Sequence, residues 1–151
     1  MFFLMFLALG FLLAVLWIDL IFDFPAFPHR GKPGPLPEEV LAEMASFYHR
    51  ITARPFLIFI VMLTILSVLV MELVQGLVPA WAAWLSLGLF LTPVLYAVTK
   101  IMPSARRFGK RIDTLEKQSE FAHALLPMHA FSFLMILALA VVQLVVLWEQ
   151  F

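Results

Sequence analysis

Few residues of this chain could carry chemistry, and the most telling are carboxylates and imidazoles set beside long apolar runs. Asp19 and Asp23 stand four residues apart at the end of the run that begins at Phe2, so on a helix they share one face. A carboxylate inside a membrane-crossing segment is expensive and usually faces the interior of a bundle, which makes the pair a candidate site, with Asp19 the deeper member. The competing reading places both at the interface, hydrated or paired with Arg50, Arg54 or Lys100.

Histidine is the second candidate. Of His29, His49, His123 and His129, the last lies deepest, inside an apolar run, where a neutral imidazole could ligate a metal or haem or relay a proton. His123 and His129 are six apart and occupy different faces of a straight helix; a kink at Pro127 would be needed to bring them together. Neither His-Glu-x-x-His nor Glu-x-x-His spacing is present, so the ordinary alternative is histidine at the membrane boundary bonded to backbone or lipid headgroups. Glu72 is expected near the outer interface, where a carboxylate can reach water; an outer gate or proton entry is the functional alternative. Cysteine is absent, which excludes disulfides, thiolate metal sites and a Cys nucleophile.

Of the whole chain, 64% is hydrophobic and only 13% charged, far from the balance of a soluble domain. A helix needs about 20 apolar residues to cross a hydrocarbon core of roughly 30 Å. Residues 2–22, 55–75, 79–102 and 124–148 meet that requirement, within one transmembrane domain covering 1–151. Long continuous runs point to helices rather than strands. The expected fold is therefore all-α: an integral membrane four-helix antiparallel bundle.

All ten Lys and Arg residues fall within 23–54 and 100–120, the two stretches that join spans one to two and three to four. By the excess of basic residues on the cytoplasmic side, segments 23–54 and 103–123 lie inside and both termini outside, in a plasma membrane of the bacterial inner-membrane kind. Residues 24–37 read as a Pro/Gly linker that cannot be helical. Val40, Leu41, Met44, Phe47, Tyr48 and Ile51 then recur at helical spacing, an amphipathic helix that either lies on the inner leaflet or runs into span two through a kink at Pro55. Residues 104–123, with Phe108, Ile112, Leu115 and Ala122 on one side, read as an extension of span four; both segments are cytoplasmic amphipathic helical extensions.

Pro55, Pro93 and Pro127 fall in the cytoplasmic part of their spans and would free the carbonyls of Ile51, Leu89 and His123, with Thr52 and Thr92 as adjacent hydroxyls. Three kinks at one height predict a widened, hydrated cavity open to the cytoplasm. Asp19 and Asp23 are its expected acids, His49, His123 and His129 its acceptors or ligands, and Arg54 and Lys100 its counter-charges.

Three function classes remain open. One is transport or coupling of protons, ions or a small solute. The second is a haem-, metal- or quinone-binding membrane redox protein, the cofactor being unspecified. The third is an accessory or structural subunit of a larger membrane complex. The bilayer is the expected partner, with a homo-oligomer or a membrane complex beyond it. Arg106, Arg107, Lys110 and Arg111 read as a topology determinant or an attraction for anionic lipid; Asp113, Glu116 and Glu120 dilute the patch, and no nucleic-acid role is expected.

Overall fold

The structure, a computed structural model, describes residues 1–149. Among them there is no strand. Helix α1 (Phe2–Asp23) runs into a 3₁₀ segment at Phe24–His29, and an extended stretch leads to α2 (Glu38–Ala53). Then come α3 (Phe56–Gln75), α4 (Ala80–Tyr96), a π-helical turn at Ala97–Ile101, α5 (Met102–Gly109) and α6 (Leu115–Trp148). Four continuous helical runs, Phe2–His29, Phe56–Gln75, Ala80–Gly109 and Leu115–Trp148, are long and apolar enough to cross a membrane.

Local chemistry accounts for the boundaries. Gly76 takes φ 61° after α3, and the Leu77 N–H bonds the Glu72 carbonyl at 3.0 Å, a left-handed stop that β-carbon-bearing residues resist. Pro79 then precedes α4, where a missing N–H costs least. Thr114 caps α6 through its side chain, with Glu116 in the first turn.

Several boundaries differ from the sequence reading. The third run continues to Gly109 rather than ending near Met102, because the π turn after Pro93 absorbs the disturbance and the helix resumes with Pro103 in its first turn, where proline is tolerated. The fourth begins at Leu115, so only its first turns come from the segment assigned to it; residues 104–109 belong with the third run. The Pro/Gly linker at 24–37, expected not to be helical, begins with a 3₁₀ helix at Phe24–His29. At Pro55 the chain breaks rather than kinks: Arg54 leaves helical geometry at φ −135°, ψ 63°. Ile112 and Leu115 are exposed, while Phe108 and Ala122 are buried, so those four do not share one packed side.

The four long helices form a bundle in which α1 packs on α6 and α3, and α4 packs on α6 and α3. The buried residues of α6 recur at alternating steps of four and three: Gln118, Ala122, Leu125, His129, Ser132, Ile136, Leu139, Gln143 and Val146. On α1 the same rhythm runs through Met5, Leu9, Leu12, Leu16, Asp19 and Asp23. This heptad spacing is that of left-handed, knobs-into-holes packing. Leu9, Leu12, Ile65, Leu69, Phe90, Ile136 and Leu139 fill the middle, while Phe3, Leu7, Val74, Trp84 and Trp148 point outward.

A second cluster, with Leu41, Met44, Tyr48, Ala105, Phe108 and Leu125, packs α2 against α5 and α6 at the end that carries the basic residues. The approach of α2 to α5 depends on Gly109, where a Cβ would stand 2.7 Å from the His49 amide nitrogen and 3.1 Å from the Tyr48 carbonyl carbon. Polar ties hold the same end. Arg111 donates to both carboxylate oxygens of Glu38 at 2.8 Å, and the Leu36 N–H bonds Ser119 Oγ at 2.8 Å.

Candidate functional site

Asp23 is the centre of the candidate site and is fully buried. It closes the buried stripe of α1, so the same spacing that packs Leu12 and Leu16 brings the carboxylate into the bundle. Tyr48 Oη donates to its Oδ1 at 2.5 Å, and its Oδ2 lies 2.6 Å from Nδ1 of His129. Both oxygens are thus engaged, one by α2 and one by α6. A buried carboxylate is tolerated only when it is paired and hydrogen-bonded, and this one is. Burial pushes the Tyr48 phenol up, with the charges of Asp23 and Asp19 adding to it, so the hydroxyl remains a donor. The Tyr48 and His129 rings lie nearly parallel, 11° apart, with centroids at 6.4 Å. With Oδ1 accepting from Tyr48 and Oδ2 facing the imidazole, Asp23 favours the tautomer protonated at Nδ1. That leaves Nε2 as the ring's basic edge.

His129 belongs to the wall of a cavity of about 130 Å³. Asp19, one turn before Asp23, lines it with His129, Tyr48, Thr52 and Ser132; the remaining wall is apolar, drawn from Leu12, Leu16, Ile58, Met62, Val94, Ile101 and Ile136 among others. Pro55 and Pro93 line it too, as does the π turn through Ala97, Val98 and Ile101. The first half of α3 reaches this wall through Ile58 and Met62 and is less covered than the second: none of residues 56–64 is buried, whereas Ile65, Val68, Leu69 and Glu72 are.

The expectation of a hydrated cavity is corrected in kind. The space lies where the prolines cluster, but its wall is chiefly apolar. Nor do the threonines satisfy carbonyls freed by proline: Thr52 Oγ1 donates to Tyr48 O at 2.6 Å and Thr92 Oγ1 to Gly88 O at 2.8 Å, each four residues back from itself.

Of the sequence candidates, Asp19, Asp23 and His129 come together. His49 is exposed beside Gly109, and Arg54 and Lys100 are exposed, none of them lining the cavity. His123 lies half-buried outside it, on another face of α6 from His129. Instead of Arg50, Arg54 or Lys100, Asp23 pairs with Tyr48 and His129. Tyr48 was read only as part of an apolar face.

Glu72 is also corrected: rather than reaching water, it is fully buried, accepting from Gln143 Nε2 at 2.9 Å, and the same nitrogen lies 3.2 Å from Ser86 Oγ. Neither Gln143 nor Ser86 is among the sequence candidates.

Among the described residues no three His, Asp or Glu side chains are placed to hold a metal ion. The cavity is also well below the roughly 300–1,000 Å³ of sites for drug-sized ligands, and neither His49 nor His123 faces His129 across it, so the residues do not suit a bis-histidine haem. No family model, no curated protein and no solved structure matches the chain.

Proposed function

We propose that this chain is an integral membrane protein that admits a lipophilic molecule with a ring-sized polar head, of the quinone or phenol type, into the cavity beside His129. In this reading His129 exchanges a proton with the head. The observation that carries it is Asp23, held on both oxygens at 2.5 and 2.6 Å, orienting an imidazole at the edge of an otherwise apolar space. An apolar cavity of about 150 Å³ in another protein binds benzene, so a single ring is the right scale for about 130 Å³. A tail attached to that ring would leave past the less covered first half of α3. His129 Nε2 accepts a proton from a hydroxyl head or, once protonated, donates to a carbonyl head. Asp23 and Asp19 stabilise the imidazolium that forms meanwhile.

The four runs cross antiparallel, with both termini outside and α2 and the α5–α6 connection in the cytoplasm, because every Lys and Arg lies at that end. The cavity then opens near the inner leaflet. A layer made of Leu9, Leu69, Phe90 and Leu139 separates this site from Glu72 and argues against a continuous ion path.

The test uses purified protein in lipid nanodiscs and a short-chain quinol. Saturable binding is expected, with an affinity that depends on pH. His129→Gln should weaken it at least tenfold, about 1.4 kcal/mol, and flatten the pH dependence. Ala97→Phe should block binding by filling the space while leaving the Asp23 bonds alone. Equal affinity in wild type and both variants would refute the reading. Because the chain has no cysteine, a single cysteine at residue 34 tests the orientation: it should react only with reagent supplied from the cytoplasmic side.

A further inference from the structure

Glu72 and Gln143 leave two oxygens with no hydrogen-bond partner, Oε1 of each, and both are buried. The remaining polar atoms of the pair are served: Gln143 Nε2 donates to Glu72 Oε2 at 2.9 Å and to Ser86 Oγ at 3.2 Å. An ionised Glu72 here would be a buried anion with a single amide donor. Among the described residues no ion pair joins it to a basic group. Residues 2–18 of α1 and 130–148 of α6 contain no ionisable side chain, and Glu72 is the only one in α3. Helix α4 offers only Tyr96 at its far end, and Glu149, past the end of α6, is exposed. A charge with no counter-charge, away from water, takes up a proton instead of remaining charged.

We propose that Glu72, Gln143 and Ser86 form a proton-binding site, in which Glu72 holds a proton on Oε1 and donates it to Oε1 of Gln143. One proton thereby satisfies both orphaned oxygens and closes a reciprocal acid–amide pair between α3 and α6, with Ser86 of α4 as the third member. Turning the Gln143 amide over gives the mirror-image pair, with the proton on Oε2 of Glu72 instead, so either orientation of the amide is completed by one proton. Binding is the reversible conversion of carboxylate to carboxylic acid, with the proton drawn from water at the Gly76 end of the bundle. The site does not depend on the cavity reading, being two heptads away along α6.

Infrared difference spectroscopy on protein in lipid tests it, with glutamate carbon-13-labelled for assignment. At neutral pH a carboxylic-acid C=O band that moves on labelling should be present. It should vanish in Glu72→Gln, a variant that preserves an amide-to-amide version of the same pair. In Gln143→Leu the band should shift to higher frequency as its hydrogen bonds are lost, which provides the assignment even where Glu72→Gln assembles poorly. Labelled bands belonging only to carboxylate at neutral pH would overturn the proposal. So would an acid band that disappears on adding sodium at constant pH, since the site would then be a cation's.

Discussion

Gly109→Ala is the substitution that tests most directly how the Asp23 site is held. A Cβ at residue 109 would stand 2.7 Å from the His49 amide nitrogen, 2.9 Å from its Cα and 3.1 Å from the Tyr48 carbonyl carbon. All three are backbone atoms, so no side-chain rotation relieves the clash. Ordinary contact for a Cβ begins at 3.4 Å, so α2 must retreat by about 0.7 Å. Overpacking of this kind costs about 1–3 kcal/mol. The retreat also carries Tyr48, the neighbour of His49, away from α1. Its 2.5 Å bond to Asp23 would stretch toward about 3.2 Å, beyond the useful range of an O–H···O bond. Reversible unfolding of the detergent-solubilised protein should therefore show a loss of about 2–4 kcal/mol, part of it through Tyr48. Tyr48→Phe alone removes the donor to a buried carboxylate, worth about 1.5–3 kcal/mol. If the two act through one bond, the double variant should cost less than the two singles added, by about 1 kcal/mol or more. Strict additivity, or a Gly109→Ala change within about 0.5 kcal/mol of wild type, would refute the claim that α2 holds the site through this approach.

Three further outcomes follow from other parts of the molecule. Ile136→Ala removes a fully buried side chain that also lines the cavity, and should cost about 2–5 kcal/mol in the same unfolding experiment while admitting a larger ring in the binding assay. Gly76→Ala should cost about 1 kcal/mol, because residue 76 holds φ 61° where a Cβ is strained although the surrounding space is open. The hydrogen bond from Arg111 holds the Glu38 carboxyl below its usual value, and the one from Arg107 does the same for Asp113. A carboxyl lowered in the folded state contributes stability above its unfolded value and loses it as pH falls through the folded one. A midpoint followed from pH 6 down to about 3 should therefore drop, by a small amount since Glu38 is exposed and Asp113 half-buried at the surface, and the drop should shrink in high salt or in Arg111→Gln.

How far the site was legible depends on what each residue could reveal by itself. Asp19, Asp23 and His129 stood out because an ionisable group in an apolar run is conspicuous one residue at a time. Tyr48 did not: an aromatic among Leu41, Met44 and Phe47 reads as packing, and its partner lies 25 residues earlier on another helix. Glu72 was misjudged because its distance from the helix end suggested water, whereas exposure is decided by what stands opposite, here Gln143 and Ser86. The four runs were readable from hydropathy, but their ends were not. Hydropathy falls after Met102 where the backbone stays helical to Gly109, since hydrogen bonding, not apolarity, continues a helix into a polar region. Arg54, Lys100, His49 and His123 shared an expected height with Asp19, and height alone does not say which way a side chain points. The interior stripe does say so: Leu12, Leu16, Asp19 and Asp23 keep one rhythm, as do Leu125, His129, Ser132 and Ile136, and that pattern could have separated His129 from His123.

The same stripe explains why polar residues are placed in a seam that apolar ones would fill more cheaply. Two of the three buried acids meet a partner on α6: Asp23 of α1 at His129, and Glu72 of α3 at Gln143. These positions lie two heptads apart, about 21 Å along the helix. Along such a seam a slip of α6 by one heptad, about 10.5 Å, would replace Leu, Ile and Ala side chains by others much like them. In lipid, where helices gain little from hiding apolar surface, that slip would cost little by packing alone. The slip that sets Ala122 opposite Asp23 would, however, also set Ile136 opposite Glu72, leaving two carboxyls buried without partners. Removing one partner of a buried ion pair such as Asp23–His129 costs about 3–5 kcal/mol, and leaving the buried polar groups of Glu72 unpaired adds about 1–3 kcal/mol, so the shifted register is penalised far more by these pairs than by packing. His129 and Gln143 therefore select one alignment of α6 against both α1 and α3. That alignment brings the imidazole to the cavity wall and gives the Glu72 proton its acceptor.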